Sequence, residues 1–327
     1  MNRITFLSDI SLIFPGQGSQ FVGMGRELSN AYPVAKEMFQ ELDDALGYNL
    51  SRIMFEGPIE LLTLTEHTQP SLMAMSAVIS KIIEIESDVS LDSYINFVAG
   101  HSLGEYSALT VASAINFVDA AKILKLRGQA MQTAVPNGKG AMAAVLGANM
   151  TSVEEIAAEA SKVGICSVAN DNSVGQIVLS GSLEAIEKAI EISKKIGIKK
   201  CILLPVSAPF HCELMVPAVE IMVEELRCLD IKQPKIKIIS NVTAKSVSSP
   251  QEIRDLLIDQ ITATVRWRES VIHMIDNGTK RFIEIGAGKV LAGLNRRIDK
   301  NVSCSSVETP QDIEDILTLL AKDKEVE

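Results

Sequence analysis

The chain has 327 residues, of which 47% are hydrophobic and 22% charged, a balance typical of a globular protein with a large core and one to three domains. This composition excludes intrinsic disorder. The net charge of -10 argues against general nucleic-acid binding, because neutralising phosphates requires basic clusters. No run approaches the roughly 18 apolar residues of a membrane span. Asp9 also lies where a signal peptide requires an unbroken apolar stretch, so we expect a cytoplasmic protein without a membrane partner.

The five cysteines form no CxxC pair and have no metal-ligand spacing, which predicts reduced, mostly buried thiols. The sequence therefore indicates neither disulfides nor a metal site. The cysteines are Cys166, Cys201, Cys212, Cys228 and Cys304.

Strands and helices alternate in the first part of the chain. An apolar strand is predicted over 10–14, before a loop rich in glycine and amide side chains. Helical patterns follow at about 32–46 and 70–85, then a short strand at 94–99 and a helix at 105–112. Strands separated by helices in this way favour a parallel α/β sheet.

The pentapeptide Gly100-His101-Ser102-Leu103-Gly104 joins the second of these strands to its helix and matches the pattern GxSxG. Such a turn is tight, so its flanking positions must be small, and it presents the serine Oγ at the top of the sheet as a nucleophile elbow. The helix N-terminus also favours a developing oxyanion there. We therefore predict that Ser102 is a nucleophile.

The segment 137–206 has a different rhythm, and its pattern predicts the order β-α-β-β-α-β of a ferredoxin-like unit. A capping box at 151–154 opens its first helix, and a polar hairpin turn is predicted at 170–175. The other predicted elements are strands at 141–146, 165–169, 176–180 and 201–206 and a helix at about 183–196.

Strands at 237–240 and 281–286 then resume the larger pattern. We predict an α/β fold with an α/β-hydrolase-like large domain that contains a parallel sheet and is formed by 1–136 and 207–327. A ferredoxin-like small domain at 137–206 is inserted into it.

A serine nucleophile needs a base, and the chain has only four histidines. His101 adjoins Ser102 and would point away from its Oγ, whereas His67 and His273 carry no other signal. His211 lies in a loop after a predicted strand and follows Ser102 in the order found in α/β hydrolases. His211 is therefore the predicted general base.

Two main-chain N–H groups are candidates for an oxyanion hole. In elbow enzymes one donor is the residue after the nucleophile, here Leu103, and the other comes from a loop after an earlier strand, here the loop with Gln17. The glycines of that loop do not form a dinucleotide fingerprint, because position 21 is Phe, and 286–289 lacks the spacer of a P-loop.

Arg127 lies within the apolar stripe of a helix predicted over about 119–134. A guanidinium that faces inward must be paired, and its fork fits a carboxylate through two hydrogen bonds. Two partners are open from the sequence: an Asp or Glu of the protein, or the free carboxylate of a substrate.

Together, these residues resemble the bacterial malonyl-CoA:acyl carrier protein transacylases over about 13–298. The resemblance implies that Ser102 forms an acyl-enzyme, that His211 is the base, that Arg127 binds the malonyl carboxylate, and that Gln17 and Leu103 supply the oxyanion donors. The matching stretches are 14–20, 68–70, 100–109, 127–128, 140–144, 205–207 with His211, and 288–291.

The resemblance also implies that no acidic residue completes a triad, because the family orients its histidine through a backbone carbonyl near the position of Gln260. Asn170, in the predicted hairpin turn, matches a position of the substrate pocket. Phe210 matches the pattern of members that use malonyl rather than branched acyl groups.

The implied function is transfer of malonyl from malonyl-CoA to the phosphopantetheine thiol of acyl carrier protein for fatty-acid synthesis, by a monomer without cofactor or metal. A stand-alone acyltransferase of a polyketide synthase would share every motif. A thioesterase or esterase would leave Arg127 unexplained, and a non-catalytic protein that docks carriers would leave Ser102 and His211 unexplained as well. Because an acidic carrier and this chain repel on average, we expect a basic docking patch, with the candidates Lys194, Lys195, Lys199, Lys200, Lys289, Arg296 and Arg297.

Overall fold

The computed structural model describes residues 9–198 and 200–325. The strands are β1 (Ile10–Phe14), β2 (Ile95–Gly100), β3 (Gly140–Leu146), β4 (Cys166–Ser173), β5 (Gln176–Ser182), β6 (Lys200–Leu203), β7 (Lys237–Ile239), β8 (Ser246–Val247), β9 (Arg281–Ile285) and β10 (Ser303–Val307). The helices are α1 (Arg26–Ala31), α2 (Pro33–Leu46), α3 (Leu50–Glu56), α4 (Ile59–Leu62), α5 (Thr65–Ser87), α6 (Gly104–Val111), α7 (Phe117–Thr133), α8 (Met150–Ala160), α9 (Leu183–Lys195), α10 (Val216–Cys228), α11 (Pro250–Asp259), α12 (Trp267–Asp276), α13 (Val290–Ile298) and α14 (Pro310–Glu325).

The larger sheet has the strand order β10-β9-β1-β2-β7-β8 among the described residues. Its neighbours are parallel except β7 and β8, which are antiparallel. The register of β1 and β2 pairs Phe14 with Gly100, so the loops that carry Gln17 and Ser102 leave the sheet side by side. β7 lies on the other side of β2, and its following loop leaves at the same carboxyl edge. Ligands of parallel α/β sheets bind at this edge.

A second, antiparallel sheet has the order β4-β5-β3-β6, and the chain passes through it as β3-α8-β4-β5-α9-β6. This element order is the one predicted from the sequence. α8 and α9 pack on the sheet around a hydrophobic cluster of their own, which contains Val145, Ile156, Leu179 and Ile186. The structure therefore has an α/β architecture with a mixed, mostly parallel sheet and a separate antiparallel sheet.

Three boundaries in the antiparallel part were predicted wrongly. The capping box at 151–154 does not cap α8, because Asn149 precedes the helix and its Oδ1 accepts a hydrogen bond from the Ser152 N–H. β6 ends at Leu203 rather than at 206, because Pro205 has no N–H to donate to a neighbouring strand. The third boundary is the hairpin turn.

The predicted turn at 170–175 is mostly strand. β4 continues to Ser173, so only Val174 and Gly175 separate it from β5. The polar residues at 170–172 have the composition of a loop, but each is buried against the larger part of the molecule. Tertiary contacts therefore override the local preference here.

α5 and α7 are packed together under the larger sheet and carry two residues of the site described below. α5 begins at Thr65, earlier than the predicted start at about 70, and includes Pro70 near its first turns. It is buried on nearly all sides, so its apolar periodicity is weak and gives a poor signal for its start. α7 is capped by Asn116, whose Oδ1 accepts a hydrogen bond from the Asp119 N–H.

The five cysteines are free thiols, three of them buried, Cys201 half-buried and Cys228 exposed. Across residues 9–198 and 200–325, no helix combines the length and apolar character needed to cross a membrane. The same residues contain no group of three or more His, Cys, Asp or Glu side chains that could hold a metal ion.

Candidate active site

Ser102 occupies a tight turn between β2 and α6, with a left-handed φ of 54°. A Cβ at Gly100 would lie 1.8 Å from the Gly104 carbonyl oxygen, and a Cβ at Gly104 would lie 2.3 Å from the Phe14 carbonyl oxygen. Both positions therefore require glycine. The close approach of the main chains presses the turn against the end of β1 and lifts the Ser102 side chain above the sheet.

Asn241, the second residue after β7, holds this turn from the other side. Its Oδ1 accepts a hydrogen bond of 2.7 Å from the Ser102 N–H, and its Nδ2 donates one of 2.7 Å to the Gly100 carbonyl. These two bonds satisfy the main chain where its conformation is strained. The sequence analysis missed Asn241, although its place after a strand parallel to β2 is a usable signal.

His211 lies beside Ser102, with one ring nitrogen at the serine hydroxyl. Its Nε2 is 2.8 Å from the Ser102 Oγ, and its Nδ1 is 2.9 Å from the main-chain oxygen of Gln260. A carbonyl oxygen can only accept, so Nδ1 carries the hydrogen and Nε2 is free to take the serine proton. Burial, and next the charge of Arg127, lowers the pKa of His211 to about 3. The imidazole is therefore neutral near pH 7.

Arg127 is buried next to the nucleophile, with 1% of its surface exposed. Its Nη1 donates to the Gln69 Oε1 at 2.9 Å, and its Nη2 donates to the Gln260 Oε1 at 2.8 Å and to the Ser102 Oγ at 3.3 Å. The guanidinium also lies 5.6 Å from the centre of the Tyr106 ring.

These contacts exclude the first of the two partners that the sequence left open, an Asp or Glu of the protein. Among the described residues, no Asp or Glu oxygen lies within 4.0 Å of the Arg127 guanidinium, so it forms no ion pair with the protein. Neutral amide oxygens orient its fork instead. Gln69 is in one of the stretches that carried the resemblance, but the sequence analysis gave it no role.

A cavity of about 210 Å³ opens at Ser102 between the two sheets. Its walls include most of the predicted site residues together with Gln69, Met131 and Met142, which the sequence did not single out. The predicted residues that line it are Gln17, Ser102, Leu103, Arg127, Asn170, Phe210 and His211. Gln260 stands behind the cavity wall and reaches the site through its hydrogen bonds.

The antiparallel sheet closes one side of this cavity. The Nε2 of His101 is 2.8 Å from the Asn172 Oδ1, whereas the ring nitrogen at the Ser102 Oγ belongs to His211. Asp171 is buried and forms an ion pair of 2.7 Å with Arg268 on α12. Both contacts fix β4, and with it Asn170, against the larger sheet.

The candidates for a basic docking patch lie in different settings. The Arg297 Nη1 donates at 2.8 Å to Gln176, which lines the cavity, whereas Lys195 is paired with Glu191 at 2.5 Å. The Arg296 side chain donates to the Cys304 carbonyl. Lys199 lies outside the described residues.

A serine in a nucleophile elbow, a neutral histidine at its Oγ and a nearby guanidinium are typical of enzymes that transfer acyl groups through a serine ester. The chain belongs to the acyl transferase domain family, whose pattern matches residues 11–315.

Individual relatives agree with this assignment over nearly their whole length. The chain is 44% identical over 310 residues to the malonyl CoA-acyl carrier protein transacylase of Bacillus subtilis (strain 168), covering 94% of this chain and 96% of that protein. The acyl-carrier-protein-S-malonyltransferase of Bartonella henselae superposes with a TM-score of 0.93 at 45% identity, covering 95% and 99% of the two chains. A malonyl-transacylase in complex with a type II PKS acyl-carrier protein superposes with a TM-score of 0.91 at 38% identity, covering 95% and 99%.

Proposed function

We propose that this chain transfers the malonyl group of malonyl-CoA to the phosphopantetheine thiol of an acyl carrier protein. The observation that carries the proposal is the Arg127 guanidinium, which is buried, lacks a protein carboxylate and lies 3.3 Å from the Ser102 Oγ. A buried cation favours an anionic partner with a matching fork. Malonyl has a free carboxylate one methylene away from its thioester carbonyl, and the names of the relatives support the same acyl group.

In the first half-reaction, the Ser102 Oγ attacks the thioester carbonyl and its proton passes to the His211 Nε2. The carbonyl oxygen becomes an oxyanion, for which the N–H groups of Gln17 and Leu103 are the proposed donors. The C–S bond then breaks, CoA leaves as a thiol with the proton from His211, and malonyl remains as an ester on Ser102. The Gln260 carbonyl holds the His211 ring throughout.

In the second half-reaction, the phosphopantetheine thiol gives its proton to His211 and attacks the serine ester. The C–O bond breaks, Ser102 regains its proton, and malonyl leaves as a new thioester. No cofactor or metal takes part in either step. Arg127 holds the acyl group at its far end, and Asn170 and Phe210 are proposed to bound the space around it, which favours malonyl over branched groups.

We also infer the finer architecture and setting of the enzyme. The strand orders support an α/β-hydrolase-like domain from 1–136 and 207–327 with a ferredoxin-like insertion at 137–206. A cytoplasmic monomer that supplies fatty-acid synthesis is the proposed setting. The likeness to a transacylase in complex with a type II PKS carrier supports a second candidate, the supply of malonyl units to a polyketide synthase. Transfer rates to the two kinds of carrier separate these candidates.

The test is intact-mass analysis after brief incubation with malonyl-CoA or acetyl-CoA, followed by addition of holo carrier protein. We expect a malonyl adduct that is absent in Ser102→Ala and is discharged onto the carrier. Arg127→Ala loses malonyl loading by about 30-fold or more, because truncating one member of a buried charge pair costs about 2–5 kcal/mol. Loading from acetyl-CoA, which lacks the carboxylate, falls much less.

The matched control is Arg227→Ala, which removes an exposed arginine on α10 and leaves loading unchanged. Release of free malonate without loading of the carrier would instead identify a hydrolase. A complex with the carrier and no adduct at all would indicate a docking protein.

Arg297 is the proposed member of the docking patch that contacts Gln176, a residue of the cavity wall. We expect Arg297→Glu to slow transfer to an acidic carrier and to weaken the dependence of transfer on salt, while acylation by malonyl-CoA is unchanged. Arg227→Glu is the charge-matched control. An unchanged transfer rate and salt dependence would remove Arg297 from the patch.

A further inference from the structure

We propose that Glu105 is a positioning residue that balances the charge of Arg127 through the side chain of Gln260 and thereby sets how tightly the site holds an acidic acyl group. The inference rests on the malonyl transfer proposed above. Glu105 is the second residue of α6, three positions after the nucleophile, and is 2% exposed. Neither the mechanism above nor the sequence analysis gives it a role.

One oxygen of Glu105 accepts both of its hydrogen bonds. Oε2 accepts from the Gln260 Nε2 at 2.7 Å and from the main-chain N–H of Asn241 at 3.2 Å. The Gln260 Oε1 in turn accepts from the Arg127 Nη2 at 2.8 Å. A single amide therefore lies between a buried carboxylate and a buried guanidinium, with its N–H toward the anion and its oxygen toward the cation.

This arrangement orients the Gln260 amide dipole favourably between the two charges. Burial raises the pKa of Glu105 to about 7, and both its hydrogen bonds and the charge of Arg127 act against that rise. Burial lowers the pKa of Arg127, and the charge of Glu105 acts against that. Above neutral pH, each group therefore stabilises the charged form of the other without touching it.

The separation has a chemical consequence. A direct ion pair would occupy the guanidinium fork, and the substrate carboxylate would have to displace it. With Gln260 between them, Glu105 supplies a compensating charge while the guanidinium stays beside the Ser102 Oγ. Glu105 also repels an acyl carboxylate from a distance, which keeps the loaded ester from being held too tightly for transfer.

Glu105 is linked to the base by the same residue. The main-chain oxygen of Gln260 receives the His211 Nδ1–H, and the Gln260 Nε2 also donates to the Ser102 carbonyl at 3.0 Å. The acceptor at Glu105 therefore fixes one residue that orients both the base and the guanidinium. Its charge and its hydrogen-bond acceptance are separable properties, because an amide oxygen in the position of Oε2 would keep both bonds.

The test compares Glu105→Gln, Glu105→Ala and wild type at about pH 8, with acylation by malonyl-CoA and by acetyl-CoA measured separately. We expect Glu105→Gln to lower the KM for malonyl-CoA about tenfold, because the negative charge that repels the malonyl carboxylate is removed. The KM for acetyl-CoA, which has no carboxylate, stays within about twofold of the wild-type value. Glu105→Ala also loses the acceptor, so it loads poorly from both substrates. If acetyl loading is poor in Glu105→Ala and normal in Glu105→Gln, the loss in the alanine variant is due to the missing hydrogen-bond acceptor and not to the missing charge.

Glu284→Gln is the control for removing a buried negative charge elsewhere, because Glu284 is also buried, accepts two N–H groups at the start of α13 through separate oxygens, and forms no hydrogen bond or ion pair with Gln260 or Arg127. It leaves the ratio of the two KM values unchanged. The second measurement is stability by urea unfolding at the same pH: the change in unfolding free energy caused by Glu105→Gln is less favourable when Arg127 is present than in an Arg127→Gln background.

Equal effects of Glu105→Gln on both substrates, or equal changes in unfolding free energy in both backgrounds, would overturn the inference. If Glu105→Gln alone does not fold, folding of the double variant supports the charge balance and its failure to fold contradicts it. Absence of a malonyl adduct in the wild type would instead refute the proposed function.

Discussion

At the scale of single residues, the site is organised by which groups are kept charged and which neutral. His211 is kept neutral by burial and by Arg127, so its Nε2 can accept a proton near pH 7 without first losing one. A histidine with its usual pKa is partly protonated when the pH lies near that value, and its protonated form cannot act as a base. The same burial that keeps His211 neutral has a cost in stability at low pH.

That cost gives a prediction for His211→Gln. The pKa of His211 is about 3 in the folded protein, and its ordinary value is 6.5. Between pH 3 and pH 6.5 the unfolded chain therefore binds a proton that the folded chain does not. Stability is therefore lost as pH falls below 6.5. From pH 7 to pH 5 we expect the wild type to lose about 2 kcal/mol more than His211→Gln, measured by urea unfolding. An equal loss in both proteins would contradict the shifted pKa.

How far single residues could be predicted depends on whether their signal is local. Ser102 lies in a contiguous pattern, and the positions of His211 and Arg127 follow from chain order and from an apolar stripe. The structure brings His211 and Arg127 each within hydrogen-bond distance of the Ser102 Oγ. Glu105 lies in a stretch that carried the resemblance and Asn241 follows a strand, but their roles depend on contacts between distant parts of the chain that the sequence does not show.

At the scale of elements, the turn between β2 and α6 leaves no room for a side chain at either of its glycines. Gly100 faces the main chain of Gly104, which cannot move without opening α6. Its sequence pattern predicted both the strand and the helix to within a residue or so, because turn, strand and helix all agree locally.

Two glycine substitutions test this crowding. Gly100→Ala places a Cβ 1.8 Å from main-chain atoms, and we expect a loss of several kcal/mol in unfolding free energy or failure to fold. Gly293→Ala, inside α13, meets nothing within 4 Å and gains about 1 kcal/mol from helix propensity. Thermal melting of both variants checks the pair, and a tolerated Gly100→Ala would show that the turn can relax.

β4 could not be predicted to its full length from sequence. Its last residues are polar and local preference makes them a turn, yet the main chain of Asp171 donates to the Val265 carbonyl and its side chain pairs with Arg268. These are contacts between distant parts of the chain. From the sequence, the polar residues of a strand that lines a cavity have the pattern of a loop, because the residues that they contact lie elsewhere in the chain.

At the scale of the whole molecule, the cavity exists only where the two sheets meet. Neither sheet alone encloses Ser102, since one contributes the elbow and the other contributes Asn170, Asn172 and Met142 to the opposite wall. The relative placement of the sheets therefore determines the space available to an acyl group. Asp171 and Arg268 form an ion pair across this junction, with Asp171 1% and Arg268 29% exposed.

A double-mutant cycle of Asp171→Asn and Arg268→Gln measures this junction. Because Asp171 is buried, we expect a coupling free energy of about 1–3 kcal/mol in urea unfolding. The control cycle uses Glu224 and Arg227, an exposed pair on α10, for which we expect less than about 0.5 kcal/mol. Equal couplings in the two cycles would mean that the pair does not hold the sheets together.

The two glutamines that orient Arg127 also limit how the substrate range of this enzyme can be redesigned. An apolar residue at 127, chosen to admit a neutral acyl chain, would leave the side-chain oxygens of Gln69 and Gln260 buried without a donor. Each such oxygen costs about 1–3 kcal/mol. A stable variant for neutral acyl groups therefore needs concerted replacement of all three side chains, and stepwise drift away from acidic substrates passes through less stable intermediates.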